Sequence, residues 1–372
     1  MEVLFITHKY PPSVGGMETQ SFHLIEEIGR KTKVHTIIHS ASESKFRFFQ
    51  KLRSRVREKI KQNPGITHVH LNDALLATMC YLLAVDFGGR KVLATFHGLD
   101  VVFPLGIYQN KIFKRMTCIL DRVICVSNAT AEECRKRSVE DAKLAVILNG
   151  VDQSIISLPE NSHNNEYTKD KQILMLGRPV RRKGFSWFAE HVFPLLNEEI
   201  TLIHIGFIDE KSSKWVEKWM PKKWVDNLDL FFGRSSDSQS LIQIQKKYPI
   251  RMILAGKVSD SERNSIIRNV SMIVMPNIPV VGDMEGFGLV ALEAALQGKL
   301  VLVSDLEGLK DAIVDGKNGF RLPPLDAHRW AETIHRYLKE DPLESADIRN
   351  FTLHNFSWEK MGNSYYKEFK QL

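Results

Sequence analysis

The sequence predicts the α/β class, built as two halves that each carry a parallel sheet. Three observations predict it. Short β-branched runs alternate with helical patterns, the signature of parallel strands with helices on both faces. The alternation is interrupted at 161–170 by a polar, turn-rich stretch, NSHNNEYTKD, and then restarts. The chain has 372 residues, 43% hydrophobic and 26% charged, which is enough for two ordinary cores and excludes a disordered chain.

The first half starts with a strand over Val3–Thr7. A loop at Lys9–Gly16 follows, then a helix over about Met17–Arg30, so the pair Gly15–Gly16 opens a helix. Such a pair suits close approach of backbone to a phosphate or sugar, and a plain tight turn explains it equally well. Further strands are expected at Lys33–Ile38, Ile66–Leu71, Lys91–Phe96, Arg122–Val126 and Lys143–Leu148. A basic helix is expected at Lys45–Lys61 and a buried one at Asp73–Val85, and Asn149–Asp152 ends the half with a turn. In the second half the strands are Gln172–Leu176, Thr201–Ile205, Arg251–Leu254, Met272–Met275 and Leu300–Val303. A helix covers about Phe185–Leu196, and Phe356–Trp358 opens a last one. The Trp- and Lys-rich stretch 209–248 gives no clear pattern.

Chemistry concentrates in Asp283–Ala295, DMEGFGLVALEAA. It begins as a loop with glycines on both sides of Phe287 and continues as a helix with Leu289, Val290, Leu292 and Leu296 on its apolar face. A Gly-rich helix start leaves backbone N–H groups without partners, and the helix dipole favours an anion above them. Glu285 stands at the loop mouth and Glu293 eight positions on. Carboxylates beside an anion site suit a ligand with phosphate and hydroxyl groups, because a carboxylate accepts hydrogen bonds from neighbouring sugar hydroxyls. The plainer reading is a buried helix with two solvated glutamates. A second loop, Gly177–Gly184 (GRPVRRKG), follows a strand and carries four cations in six positions. That is what a diphosphate needs, although a solvated basic loop reads the same way. Thr95–Asp100 (TFHGLD) puts His97 at the carboxyl end of a strand, where open α/β sheets bind ligands.

EGFGLVALEA, followed by Gly298 and the strand Leu300–Val303, resembles the signature of retaining nucleotide-sugar glycosyltransferases of the GT-B fold, family 4. GRPVRRKG is similar to that family's GRL-x-x-x-KG segment, with Pro179 in place of an aliphatic residue. TFHG resembles its HG motif, NGVD at 149–152 its linker, and the loop before Gly16 its amino-terminal loop. The resemblance covers nearly the whole chain. It implies two Rossmann-like domains facing across a cleft. One is an acceptor-side domain over 1–160, to which the C-terminal helix 356–372 crosses back; the other is a nucleotide-sugar-binding domain over 161–355. It implies a donor diphosphate held by Gly16, Arg178, Lys183, Phe287, Gly288 and Leu289. Glu293 would take the ribose, Glu285 the transferred sugar, and His97 would be an active-site residue beside that sugar. Lys257 and Val258, in LAGKVSD, would lie by the base. The family's Gly-x-Gly-Pro loop is replaced here by Gly206–Asp209 and the Trp/Lys stretch.

No Asp-x-Asp occurs in the chain. Metal-dependent transferases use that pair to hold a divalent cation, so no metal and no cofactor are expected. The expected function is retaining transfer of a hexose from a nucleoside-diphosphate sugar to a carbohydrate or lipid-linked acceptor, in cell-envelope polysaccharide or glycolipid synthesis. A sugar-nucleotide epimerase of the same fold and a catalytically silent binding module are the rival readings.

The formal charge of +7 is local. Lys45–Lys61 holds eight basic residues and one acid, so the rest of the chain sums to zero. This argues against a nucleic-acid partner. In the same stretch Phe49, Leu52, Val56 and Ile60 form an apolar stripe, with Phe48 beside it. The stripe suits two uses equally: packing on the first sheet, or docking on an anionic membrane surface as an interfacial helix. The cations also suit steering of an acidic acceptor. Met1–His8 lacks the pattern of a signal peptide, and the longest near-apolar run, Ala74–Val85, is too short to span a bilayer. Cys80, Cys118, Cys125 and Cys134 have neither CxxC nor metal-ligand spacing and read as small buried residues in a reducing compartment. The expected location is cytoplasmic, peripheral on the cytoplasmic face of the membrane where Lys45–Lys61 docks.

Overall fold

The computed structural model describes residues 1–157, 171–209 and 237–372. All of the turn-rich stretch 161–170, and residues 210–236 of the unread stretch 209–248, lie outside the described residues. The chain forms two units: Met1–Gly150 with Phe356–Leu372, and Val151–Asn355.

The first unit holds a six-stranded parallel sheet in the order β2-β1-β3-β4-β5-β6. Its strands are β1 Glu2–Thr7, β2 Lys33–Ile38, β3 Ile66–Leu71, β4 Lys91–Phe96, β5 Arg122–Cys125 and β6 Leu144–Val146. The second unit repeats the plan in the order β12-β11-β10-β7-β8-β9. Here the strands are β7 Gln172–Leu176, β8 Thr201–Ile205, β9 Met252–Gly256, β10 Met272–Met275, β11 Leu300–Ser304 and β12 Phe320–Leu322. Strands covered by helices on both faces bury every side chain, which is why β7, β8, β10 and β11 are mostly apolar and why even Gln172 and His204 lie buried. In each sheet the chain reverses its direction of growth beside the first strand, between β1 and β3 and between β7 and β10. Ligand sites of open α/β sheets form at the carboxyl ends of strands beside such a reversal.

Two expected helices differ from what forms. Lys45–Lys61 is two helices, Lys45–Gln50 and Leu52–Gln62, meeting at Lys51. Phe48, Leu52 and Val56 are fully buried in the first unit's core, and Phe49 and Ile60 pack against it. Each such burial contributes about 1.5–3 kcal/mol. The stripe therefore packs on the sheet, and an interfacial helix that needs this stripe in lipid has lost its apolar face. The expected helix over Phe185–Leu196 is a short α turn, Phe185–Trp187, followed by a π turn, Phe188–Val192, and a 3-10 turn, Phe193–Leu195. Pro194 has no N–H to give the preceding turn and its ring crowds the carbonyl four residues back, so an α-helix cannot run through it.

Several helices carry cap signals that the periodicity reading passed over. Ser127 accepts from the Thr130 N–H at the start of Asn128–Lys136. Ser259 accepts from Glu262 before Asp260–Asn269, and Asp326 from Arg329 before Ala327–Tyr337. Of the cysteines, Cys118 is exposed and the other three are buried, all free. Among the described residues no helix is long and apolar enough to cross a membrane.

The last helix, Trp358–Gln371, belongs to the first unit and packs on Gly16–Gly29. It enters a buried polar network. The Tyr365 hydroxyl lies 2.8 Å from Thr95 Oγ1 and accepts from Gln20 Nε2 at 3.2 Å. Thr95 is 3.0 Å from His70 Nε2, and His70 Nδ1 is 2.9 Å from Asn72 Oδ1. Burial pushes the His70 imidazole down to about 4. Burial does the same to His204 in β8, also to about 4.

Two outcomes follow from these buried groups. Tyr365→Phe strands buried partners on Gln20 and Thr95, a cost of about 1–3 kcal/mol, and the melting temperature should fall. Both histidines are neutral when folded and titrate near 6.5 when unfolded. The unfolded chain thus binds more protons below that pH, so stability should hold above about pH 6.5 and decline as pH falls towards 4. A urea midpoint unchanged between neutral pH and about pH 5 would contradict this.

Candidate functional site

The second unit gathers charge at its chain reversal. The loop after β7 runs through Arg178 to a 3-10 turn at Arg181–Lys183. Asn277 follows β10, and the loop that carries Asp283–Gly288 leads into the helix Leu289–Leu296. Gly288 takes a φ of +90° at the start of that helix and offers no side chain to cap it. Phe287 is buried, and Leu289 is the first helical residue.

Glu285 is the hub. Its Oε2 lies 2.6 Å from Lys183 Nζ and 3.5 Å from Arg182 Nε. Asn277 Nδ2 donates to the same oxygen at 3.3 Å. Arg182 also reaches Asp283 at 3.3 Å. Burial works to raise the Glu285 carboxyl, but Lys183 and Arg182 outweigh it and hold the group down at about 2. Burial lowers Lys183 from the usual lysine range, and Glu285 offsets only part of that. Asp283 is raised, chiefly by burial. The loop itself is clamped from behind by the turn after β11. Gly308 N–H donates to the Glu285 carbonyl at 3.1 Å, and a Cβ on Gly308 would lie 2.1 Å from the Gly286 oxygen. Glu307 accepts from the Glu285 N–H at 2.6 Å.

Glu293 is the fifth residue of Leu289–Leu296, and Arg263 lies 4.0 Å from it. Burial raises its carboxyl above the usual range, opposed by Arg263. Arg178 and Lys257 are exposed, and Val258 packs against the core below them.

In the first unit the carboxyl ends of β1, β3 and β4 carry a second group of polar residues. His97 follows β4; its N–H donates to Asp100 Oδ1 at 2.9 Å and its Nε2 lies 2.8 Å from the Asn72 carbonyl. A ring nitrogen facing a carbonyl must carry a proton, so in the neutral ring Nδ1 is the acceptor. His8, after β1, meets Asp73 at 3.1 Å. Burial raises the Asp73 carboxyl, but His8, the Leu76 N–H and His97 together leave it low, whereas burial leaves Asp100 high. Gly16 is exposed and begins the helix Gly16–Gly29. Beside it, His8, Lys9, Tyr10, Ser13, Glu18 and Lys45 line a cavity of about 460 Å³.

The second unit thus brings together Lys183, Glu285, Phe287, Gly288 and Leu289, while Gly16 and His97 belong to the first. Sequence reading missed Arg182, Asp283, Asn277, Glu307 and Gly308. Arg182 and Asp283 were in view, inside the two stretches singled out, and only the fold pairs them. The turn at 307–308 had no signal beyond its glycine.

Comparison with known proteins matches residues 1–154 to the model of Glycosyltransferase Family 4 and residues 159–351 to that of Glycosyl transferases group 1. An uncharacterised glycosyltransferase of Methanocaldococcus jannaschii is 23% identical over 98% of this chain and 96% of its own. A phosphatidyl-myo-inositol mannosyltransferase of Mycobacterium leprae is 24% identical over 82% of this chain and 73% of its own. Among solved structures, Anabaena HepE in complex with UDP-glucose superposes with a TM-score of 0.70 at 15% identity, covering all of both chains.

The hub makes a checkable claim about coupling. Lys183→Met leaves a buried carboxylate short of its nearest partner, and Glu285→Gln leaves Lys183 short of its own. The double variant should lose less stability than the two singles summed, by about 1 kcal/mol or more. Additive losses in thermal unfolding would mean that the pair is not an energetic unit.

Proposed function

We propose, for a chain that belongs to the glycosyl transferases group 1 family, that it moves a hexose from a nucleoside-diphosphate sugar to a hydroxyl acceptor, with retention at the anomeric carbon and without a metal ion. The observation that carries this reading is the convergence of Arg182, Lys183 and the Gly288 helix start at the reversal between β7 and β10. Preorganised cations and backbone N–H groups stabilise the charge that grows on a departing diphosphate. Arg178 completes that set. Glu293 takes the ribose hydroxyls, and the base lies by Lys257 and Val258. The UDP-glucose held by HepE supports a donor of this class.

In this reading the acceptor oxygen attacks the anomeric carbon from the face that the diphosphate leaves. The bond from that carbon to the phosphate oxygen breaks, and the departing oxygen takes the acceptor's proton. Glu285 accepts hydrogen bonds from the transferred sugar. The acceptor is proposed to seat in the cavity lined by His8, Lys9, Tyr10 and Lys45. The mannosyltransferase relative, whose name carries phosphatidyl-myo-inositol, supports a lipid-linked acceptor and a role in envelope polysaccharide or glycolipid synthesis. With the 45–61 stripe buried, attachment at the cytoplasmic face rests on the surface cations alone, each contributing on the order of 1 kcal/mol near an anionic leaflet.

A panel of nucleotide sugars, read by thermal shift, should find the donor, because a ligand of the folded state raises its melting temperature. With that donor, NMR of the product should show the donor's anomeric configuration, and transfer should survive excess chelator. An inverted product would sink the retaining assignment. A donor epimerised without any acceptor would favour the epimerase, and a donor bound but never consumed would favour the silent module.

Arg178→Ala and Lys183→Ala should each lower kcat/KM about 30-fold or more, corresponding to about 2 kcal/mol for one lost charge-stabilising donor. Glu293→Ala should weaken free nucleoside diphosphate binding. Glu285→Ala should mainly damage turnover and cost less of that binding, since in this reading its partner is the sugar. Equal loss of nucleotide affinity in both glutamate variants would contradict the division.

A further inference from the structure

Glu307 is a carboxylate of this group that the reading above does not use. It lies in the turn after β11 and holds a φ of +50°, a left-handed conformation that a side-chain-bearing residue adopts at a cost. Its Oε2 accepts the Glu285 N–H at 2.6 Å, while the next residue, Gly308, donates to the Glu285 carbonyl. Both polar groups on the Glu285 backbone are thus taken by consecutive residues of one turn. The Glu307 carboxylate is itself an anion seated on the backbone of the loop that opens the helix Leu289–Leu296.

The surrounding charges make that seat unstable towards a second anion. The buried cations on this side are Arg182 and Lys183, and they already face Glu285 and Asp283. Glu307 is a third carboxylate. The groups acting on it from other elements are Glu285 and Asp283 on the loop and Arg182 on the turn after β7. On its own turn, Asp305 pairs with Lys310 and Arg321. Burial, together with the Glu285 and Asp283 charges, lifts the Glu307 carboxyl to about 7, against the pull of the Glu285 N–H and Arg182.

We propose that Glu307 is a positioning residue that makes occupancy of the diphosphate site proton-linked: the site takes up a proton at Glu307 as a diphosphate enters. The inference rests on the donor-diphosphate reading of this loop. A carboxyl near its midpoint at neutral pH is raised further by any anion placed beside it, so binding draws in a proton. When protonated, Glu307 no longer repels the phosphate. Above neutral pH it is ionised, and the diphosphate must enter against it. Affinity therefore falls as pH rises through about 7, with a limiting slope of about tenfold per pH unit for one coupled proton.

The test is calorimetric titration of the full chain with inorganic pyrophosphate and, separately, with UDP, GDP and ADP. Buffers of different ionisation heat give the number of protons taken up, between about pH 6 and about pH 8.5. Glu307→Gln keeps an acceptor for the Glu285 N–H and removes the charge. Glu307→Gly suits the left-handed φ and serves as the second variant. Titration of the phosphates themselves is common to all three proteins, so the differences isolate Glu307. The wild type should take up about half a proton more than either variant at pH 7, the share of this carboxyl that is ionised there. Its affinity should also fall more steeply at high pH. Equal uptake and equal pH profiles in wild type and variants would overturn the proposal while leaving the donor site standing. No binding of any of these anions to the wild type at any pH would overturn the donor-site reading and this inference together.

Discussion

The second unit's site depends on one close approach of backbone to backbone. Gly308 sits so near Gly286 that no side chain fits between them, and its N–H holds the Glu285 carbonyl. That contact fixes the loop through Gly288, which fixes where the helix Leu289–Leu296 starts and where Glu285 points. Only with Glu285 in place do Lys183 and Arg182 have a reason to turn inward. Two cations side by side in a poorly solvated position repel each other, and a shared carboxylate is what keeps both there. The arrangement is therefore built from behind: the turn after β11 sets the loop, the loop sets the carboxylate, and the carboxylate sets the cations.

This ordering has an energetic logic. A cation held for a phosphate must be charged, desolvated and in position before the ligand arrives, or the ligand loses affinity in organising it. A lysine left alone at this depth would shed its proton or swing to solvent. Glu285 prevents both by standing where part of the ligand's charge will later be felt. Its own carboxyl, held at about 2, does not change state at any physiological pH, so it is a fixed counter-charge.

Much of the fold was legible because parallel strands buried on both faces leave short runs rich in apolar and β-branched residues. Ile66–Leu71, Gln172–Leu176, Thr201–Ile205 and Met272–Met275 were read to the residue. Helix interiors were less legible. The 45–61 stripe has the periodicity of a helix, but nothing in its composition says whether sheet or lipid covers it, and the break at Lys51 has no marker residue. Site residues inside the glycine-rich and basic loops were visible as types, whereas their pairing was not. Arg182 and Asp283 are 101 positions apart, and only the adjacency of β7 and β10 brings them together. Glu307 was invisible because a left-handed glutamate looks like any surface acid in sequence.

The last helix has a consequence for how the chain is made. The first unit's sheet and most of its helices lie within Met1–Gly150, yet the unit is finished by Phe356–Leu372. Chains emerge from the ribosome amino end first and domains fold as units. Throughout synthesis of the second unit, the first must therefore wait with Gln20, Thr95 and the surface beneath Tyr365 uncovered. Residue 150 carries the same mark: a Cβ there would lie 2.4 Å from the Trp358 nitrogen, a partner made some two hundred residues later. The unit that is synthesised first is thus the one completed last, and the nascent chain is most exposed to misassembly in the interval between them.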